Sequence, residues 1–136
     1  MANVKLGTKA VGSIVKIKVN GASKDFIVVQ QGNPNTGTYD SSCAGTWLLM
    51  KDIYTTSTFG NNNSYKDSSI HTYLNGTFYN LIDSNIRAAI KQVKIPYQNG
   101  TGSGGSLATG SNGLSTKVFL LSGYEVGWTT SDNGYF

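Results

Sequence analysis

Apolar and polar side chains alternate along "SIVKIKVNGASKDFIVVQQ", Ser13 to Gln31. Val15, Ile17 and Val19 are separated by Lys16 and Lys18, the period-two pattern of a half-buried strand. Asn20-Gly21 follows, and both residues tolerate the positive φ that a tight hairpin turn demands. The return strand carries Phe26-Ile27-Val28-Val29, apolar on both faces, which predicts a deeper place in the sheet. After a Gly/Asn/Pro loop, "TWLLMKDIY" (Thr46 to Tyr54) reads as a buried strand. A second polar loop, Thr55 to Asp67, then delivers the chain to a different periodicity.

From Ser68 to Ile82 the apolar positions Ile70, Tyr73, Leu74, Phe78 and Leu81 recur at helical spacing and share one face. Asp67, Ser68 and Ser69 are each able to supply an N-cap oxygen. Asn75-Gly76 is a weak point in that helix, since glycine costs about 1 kcal/mol against alanine in a helix interior. Asp83-Ser84 caps a second helix, Ser84 to Gln92, with Ile86 and Ile90 inward. Pro96 holds Ile95 extended, so "VKIPY" predicts a short strand. "QNGTGSGGSLATGSNG" (Gln98 to Gly113) has six glycines and no charge, and reads as a long loop. It lacks the G-x-x-x-x-G-K-[ST] pattern of a phosphate cradle. Lys117 to Leu121 predicts a last buried strand, and Asp132-Asn133-Gly134 a turn. The order is that of an α+β fold: a mostly antiparallel sheet with an N-terminal hairpin and two short helices packed on it, as one domain over residues 1–136.

Composition narrows the function classes. Only 13% of the residues are charged, against roughly 25% in soluble domains, so Ser, Thr, Asn, Gln and Gly must keep the chain in solution. That style suits β-rich extracellular or virion-surface proteins. The net charge of +4 is spread along the chain, and Arg87 is its one arginine. Nucleic-acid interfaces cluster Lys and Arg, so this pattern argues against such a partner. The lone Cys43 excludes an intramolecular disulfide and a thiolate-rich zinc site, and no cofactor is expected. "MANVKLGTKAVGS" has no apolar signal-peptide core, and "FIVV" and "VFLL" are far too short to span a membrane. Synthesis in a cytoplasm, with later work in a virion or outside the cell, is the expectation.

Catalytic chemistry has few footholds. His71, near the edge of the first helix's buried face, has Asp67 four residues before it, but Asp67 serves equally as a cap. A Cys43–His71 nucleophile pair would suit a small envelope hydrolase, whereas a plain loop or core thiol needs no special setting. Six Asp and one Glu fall mainly at turns and element ends, without a recognisable pair or calcium loop. Glu125, alone in "SGYEVGW", stands out, with solvent exposure or a backbone bond as its simplest role. Trp47, Phe26, Phe78 and Phe119 lie in apolar runs and belong to the core. Tyr39, Tyr54, Tyr65, Tyr97, Tyr124, Trp128 and Tyr135 lie in or beside polar loops, where Tyr and Trp make adaptable contact surfaces. The expected partner-binding residues are Tyr97, Tyr124, Trp128, Asp132, Asn133 and Tyr135.

Two stretches carry a likeness to a family. "SSIHTYLNGTFY" fits the pattern S-x-I-x-x-Y-L-N-x-x-F-Y, and "KVFLLSGYEV" fits K-x-F-L-L-S-x-x-E-V. The chain thereby resembles, from about Ser13 to Trp128, a domain of unknown function widespread in Firmicutes and their prophages. The resemblance implies a C-type-lectin-like architecture and a role as a phage virion component or as an adhesion module of a larger surface protein. Partners would be other virion proteins, a second copy of the chain or cell-surface glycan. Relatives continue past the "GWTTSD" region, which leaves a closing strand to be missing here, supplied by another subunit, or unnecessary.

Overall fold

The computed structural model describes residues 5–61, 64–99 and 105–127. Its first three strands form one antiparallel sheet: β1 (Ile14–Val19), β2 (Ala22–Gln31) and β3 (Thr46–Met50), in the order β1-β2-β3. The hairpin turn is where the sequence places it, with Asn20 at φ 50° and Gly21 at φ 75°. β2, the strand without alternation, is the central one, and Val28 is fully buried. The β2–β3 register shifts between Val28 and Gln30, a bulge that bends the pair. Lys16 and Asp25 face each other across β1 and β2 and form an ion pair at 2.7 Å on the surface.

β3 is shorter than the sequence suggests. It stops at Met50, and Ile53 is 88% exposed. The helical region also departs from one continuous α-helix. α1 (Ser69–Tyr73) passes into a π-helical segment (Leu74–Phe78) and then into one further turn, α2 (Tyr79–Leu81). The widened segment contains Asn75-Gly76, the weak point of the pattern. Ser68 is the N-cap, its hydroxyl accepting from the His71 N–H at 3.1 Å. Asp83 caps α3 (Ser84–Arg87), which is also shorter than the predicted second helix. The junction is tied back to β1, with Asn20 N–H donating to Leu81 C=O and Asp83 N–H to Lys18 C=O.

The rest of the chain builds two small antiparallel pairs. β4 (Val93–Ile95) pairs with β7 (Leu114–Thr116), and β5 (Tyr97–Asn99) with β6 (Ser106–Ala108). The glycine-rich stretch is therefore partly built into strand pairing, because Ser106–Ala108 supplies an antiparallel partner for Tyr97–Asn99. Gly113 is required here: a Cβ on it would meet the Ile95 carbonyl oxygen at 2.7 Å.

Apolar packing divides into two clusters. One joins Ile17 and Val19 of β1 to Phe78 and Ile82, with Tyr73, Leu74, Leu81, Ile86 and Ile90 against them. That is the inward face the helical spacing predicts, except that Ile70 packs on the other cluster. The other gathers Tyr39, Cys43, Tyr65, Ile95, Tyr97 and Leu114, with Trp47 and Phe119 packed on it. Trp47 meets both Tyr39 and Phe119 edge-on, at centroid distances of 5.6 and 5.5 Å. Mixed strands and short helices, with antiparallel pairing throughout the described residues, make the fold α+β.

Candidate functional site

The segment after β7 is held by side chains rather than by a strand partner. Asn75 projects from the π-helical segment, and its Oδ1 accepts from the N–H groups of Lys117 (2.8 Å) and Val118 (3.2 Å) and from the Thr116 hydroxyl (3.1 Å). Its Nδ2 donates to the carbonyls of Val118 (2.8 Å) and His71 (3.1 Å). One carboxamide thus stands in for a strand ladder. Lys117 to Leu121 is consequently not the predicted buried strand, and Leu120 and Leu121 are exposed. The Leu120 N–H finds its acceptor in the Tyr65 hydroxyl at 3.1 Å. Burial lifts that phenol to about pH 12 on the pKa scale.

Glu125 fixes the end of the same segment. One carboxylate oxygen accepts from the Tyr39 hydroxyl at 2.7 Å, and the other accepts from the Ser122 N–H (2.7 Å) and hydroxyl (3.0 Å). The backbone bond foreseen for Glu125 exists, but the reach to Tyr39, 86 residues away, has no local signature. Beside these anchors Leu120, Leu121, Tyr124 and Val126 stand exposed, Val126 at 65%. These exposed apolar side chains, termed the ridge, make up the candidate contact surface.

The sequence-predicted contact residues divide three ways. Tyr124 is on this ridge, 46% exposed. Tyr97 belongs to the core instead: it is 9% exposed, because β5 turns its ring into the second cluster. Tyr39 and Tyr65 are likewise buried, at 3% and 1%, for their hydroxyls reach polar anchors far along the chain. Trp128, Asp132, Asn133 and Tyr135 lie outside the described residues, as does the predicted turn at Asp132-Asn133-Gly134. Leu120 and Leu121 read as a buried strand in the sequence, yet both are exposed on the side-chain-anchored segment.

Cys43 and His71 meet different partners. The Cys43 thiol is buried and donates to the Lys94 carbonyl at 3.2 Å, and desolvation pushes its pKa up, away from the thiolate. The His71 ring stands edge-on to Tyr65 with centroids 5.1 Å apart, and its Nδ1 faces the Asn75 amide at 3.4 Å. No hydrogen bond joins the two residues among those described. Nor does any group of three His, Cys, Asp or Glu among them offer a metal site. Of the described helices, none is long and apolar enough to cross a membrane.

Burial lowers the His71 pKa below its ordinary 6.5, against the opposing pull of Asp67. The unfolded chain therefore takes up the proton first, and stability rises with pH in this window. The protein should lose stability as pH falls below about 6.5, levelling off beneath the folded-state value. Melting temperatures from pH 7.5 to 5 should show the slope, and His71→Gln should flatten it. Asp25 and Asp40 are held below 3.8 by bonds from Lys16 and Ser42, so their loss of stabilisation comes at more acid pH.

A family model described as a domain of unknown function matches residues 44–135, more than half of the chain. No curated protein and no solved structure matches it.

Proposed function

The chain belongs to the DUF6273 family, and we propose that it is a non-enzymatic binding module of a phage virion, working in tail, fibre or capsid decoration. The observation carrying this reading is the apolar ridge Leu120, Leu121, Tyr124 and Val126, exposed yet held from beneath by Glu125, Asn75 and Tyr65. A rigid apolar ridge is a preorganised contact surface, since its backbone entropy is already spent on folding. Low charge and Asn/Gly/Thr richness support a surface role outside the cytoplasm. In this reading the hairpin and short helices carry the contact loops in a C-type-lectin-like manner. The partner is a neighbouring virion subunit or a second copy, with host-envelope glycan as the alternative ligand.

The test compares the wild-type chain with Tyr124→Ser/Val126→Ser by light scattering and by cosedimentation with virions. Wild type should self-associate or cosediment, and the variant should do neither while keeping its melting temperature within a few degrees, as surface substitutions usually do. A wild-type chain that stays monomeric and binds neither virions nor envelope glycans would defeat the proposal.

A further inference from the structure

The two apolar clusters do not close on each other. A cavity of about 510 Å³ lies between the β2–β3 side of the sheet, α3 and the segment after β7. Trp47, Leu48, Ile86, Ile90, Val118 and Phe119 contribute to its walls. That volume is in the range of small-molecule sites, and the largely apolar lining with a few polar groups is their usual chemistry.

The polar groups on its boundary are of two kinds. Ser42 and Cys43 are already committed: the Ser42 hydroxyl accepts from the Lys94 N–H and the Cys43 thiol donates to the Lys94 carbonyl. Lys91 and Lys117 differ. Lys91 Nζ donates to the Ala44 carbonyl at 2.8 Å. Lys117 Nζ donates to the Tyr79 hydroxyl at 3.2 Å and lies 4.7 Å from that ring's centroid. An ammonium carries three donors, and these partners are neutral. The ion pair among the described residues is elsewhere, between Lys16 and Asp25. The cavity thus couples an apolar volume to two cations that no described carboxylate neutralises.

We propose that this cavity is a binding site for an amphipathic anion, an aliphatic chain buried between the clusters with its terminal carboxylate at a lysine on the boundary, Lys91 or Lys117. A peptide is the poorer occupant, because its backbone N–H and C=O groups would find few partners among these walls. An alkyl chain brings no such groups, and its one charged end meets an amine. Leu121 is common to this cavity's lining and to the ridge, but the inference does not rest on the virion reading.

Dodecanoate, titrated calorimetrically into the full chain below its micelle concentration at pH 7.5, should bind saturably at one site. Dodecanol, of equal length without the charge, should bind about tenfold more weakly, the size of one charge-assisted contact. Lys91→Gln/Lys117→Gln should bring dodecanoate down to the dodecanol affinity while leaving dodecanol unchanged. Absence of saturable binding up to millimolar dodecanoate in the wild-type chain overturns the proposal. So does equal affinity for the two probes, or a lysine double variant that binds dodecanoate like wild type. The double variant's circular dichroism and melting curve show whether it is folded. Should it not fold, the wild-type comparison of the two probes decides alone.

Discussion

Asn75→Ala should lower the stability of the fold by about 3–4 kcal/mol. The carboxamide accepts from Lys117 N–H, Val118 N–H and the Thr116 hydroxyl, and donates to Val118 and His71 carbonyls. A typical hydrogen bond nets about 1 kcal/mol, and a buried group left unpaired costs about 1–3. Several backbone groups lose their partner at once, so the effects accumulate. Two backbone donors converge on Oδ1, which fixes the amide's orientation and makes Asn75→Asp a sharp control. Aspartate keeps the acceptor but turns a carboxylate oxygen toward the Val118 and His71 carbonyls, so it too should destabilise, by about 2 kcal/mol. Urea unfolding should show a lower midpoint with an unchanged slope. Amide exchange should accelerate at Lys117 and Val118. A loss under about 1 kcal/mol would mean that the 116–118 segment is held by packing alone.

Glu125→Ala should cost about 2–3 kcal/mol, because bonds to a charged acceptor are the stronger class. It releases the Tyr39 hydroxyl from inside the second cluster and the Ser122 N–H from its short turn. Tyr39→Phe removes only the first of these. A double-mutant cycle between the two positions should return a coupling of about 1–2 kcal/mol, as directly bonded side chains do. Glu125→Gln, which keeps an acceptor oxygen and the side chain's shape, should fall between wild type and Glu125→Ala. Additive effects from Tyr39→Phe and Glu125→Ala would show that the 2.7 Å contact carries no energy of its own.

The features legible in the sequence are those with local causes. Asn20-Gly21 specifies its hairpin because left-handed backbone angles are a property of two neighbouring residues. Ser68 and Asp83 start their helices by capping N–H groups two or three positions on. The burial of Tyr39 and Tyr65 was hidden, since both sit beside polar loops and reach anchors 86 and 55 residues away. Tyr97 misled for a related reason: the glycines after it suggest a free loop, and only pairing with Ser106–Ala108 turns it inward. Asn75 was visible as a helix defect but not as a clamp, because its partners at 116–118 are over forty residues later. The same clamp explains why an apolar run from Lys117 fails to become a strand. Within the two stretches that carry the family likeness, Ser68 is a cap, Asn75 a clamp, and Ser122 and Glu125 are bonded to each other.

The 86-residue reach from Tyr39 to Glu125 also sets an order of events during synthesis. At the usual 5–20 residues per second, the Tyr39 phenol waits roughly 4 to 17 s for its acceptor to be made. β1 and β2 need only each other and can pair while the ribosome is still reading the helices. The second cluster cannot close until Leu114 and Glu125 have emerged. For those seconds the nascent chain carries a hairpin able to pair beside an aromatic half that has yet to close, the kind of exposed apolar surface that makes a folding chain prone to aggregate.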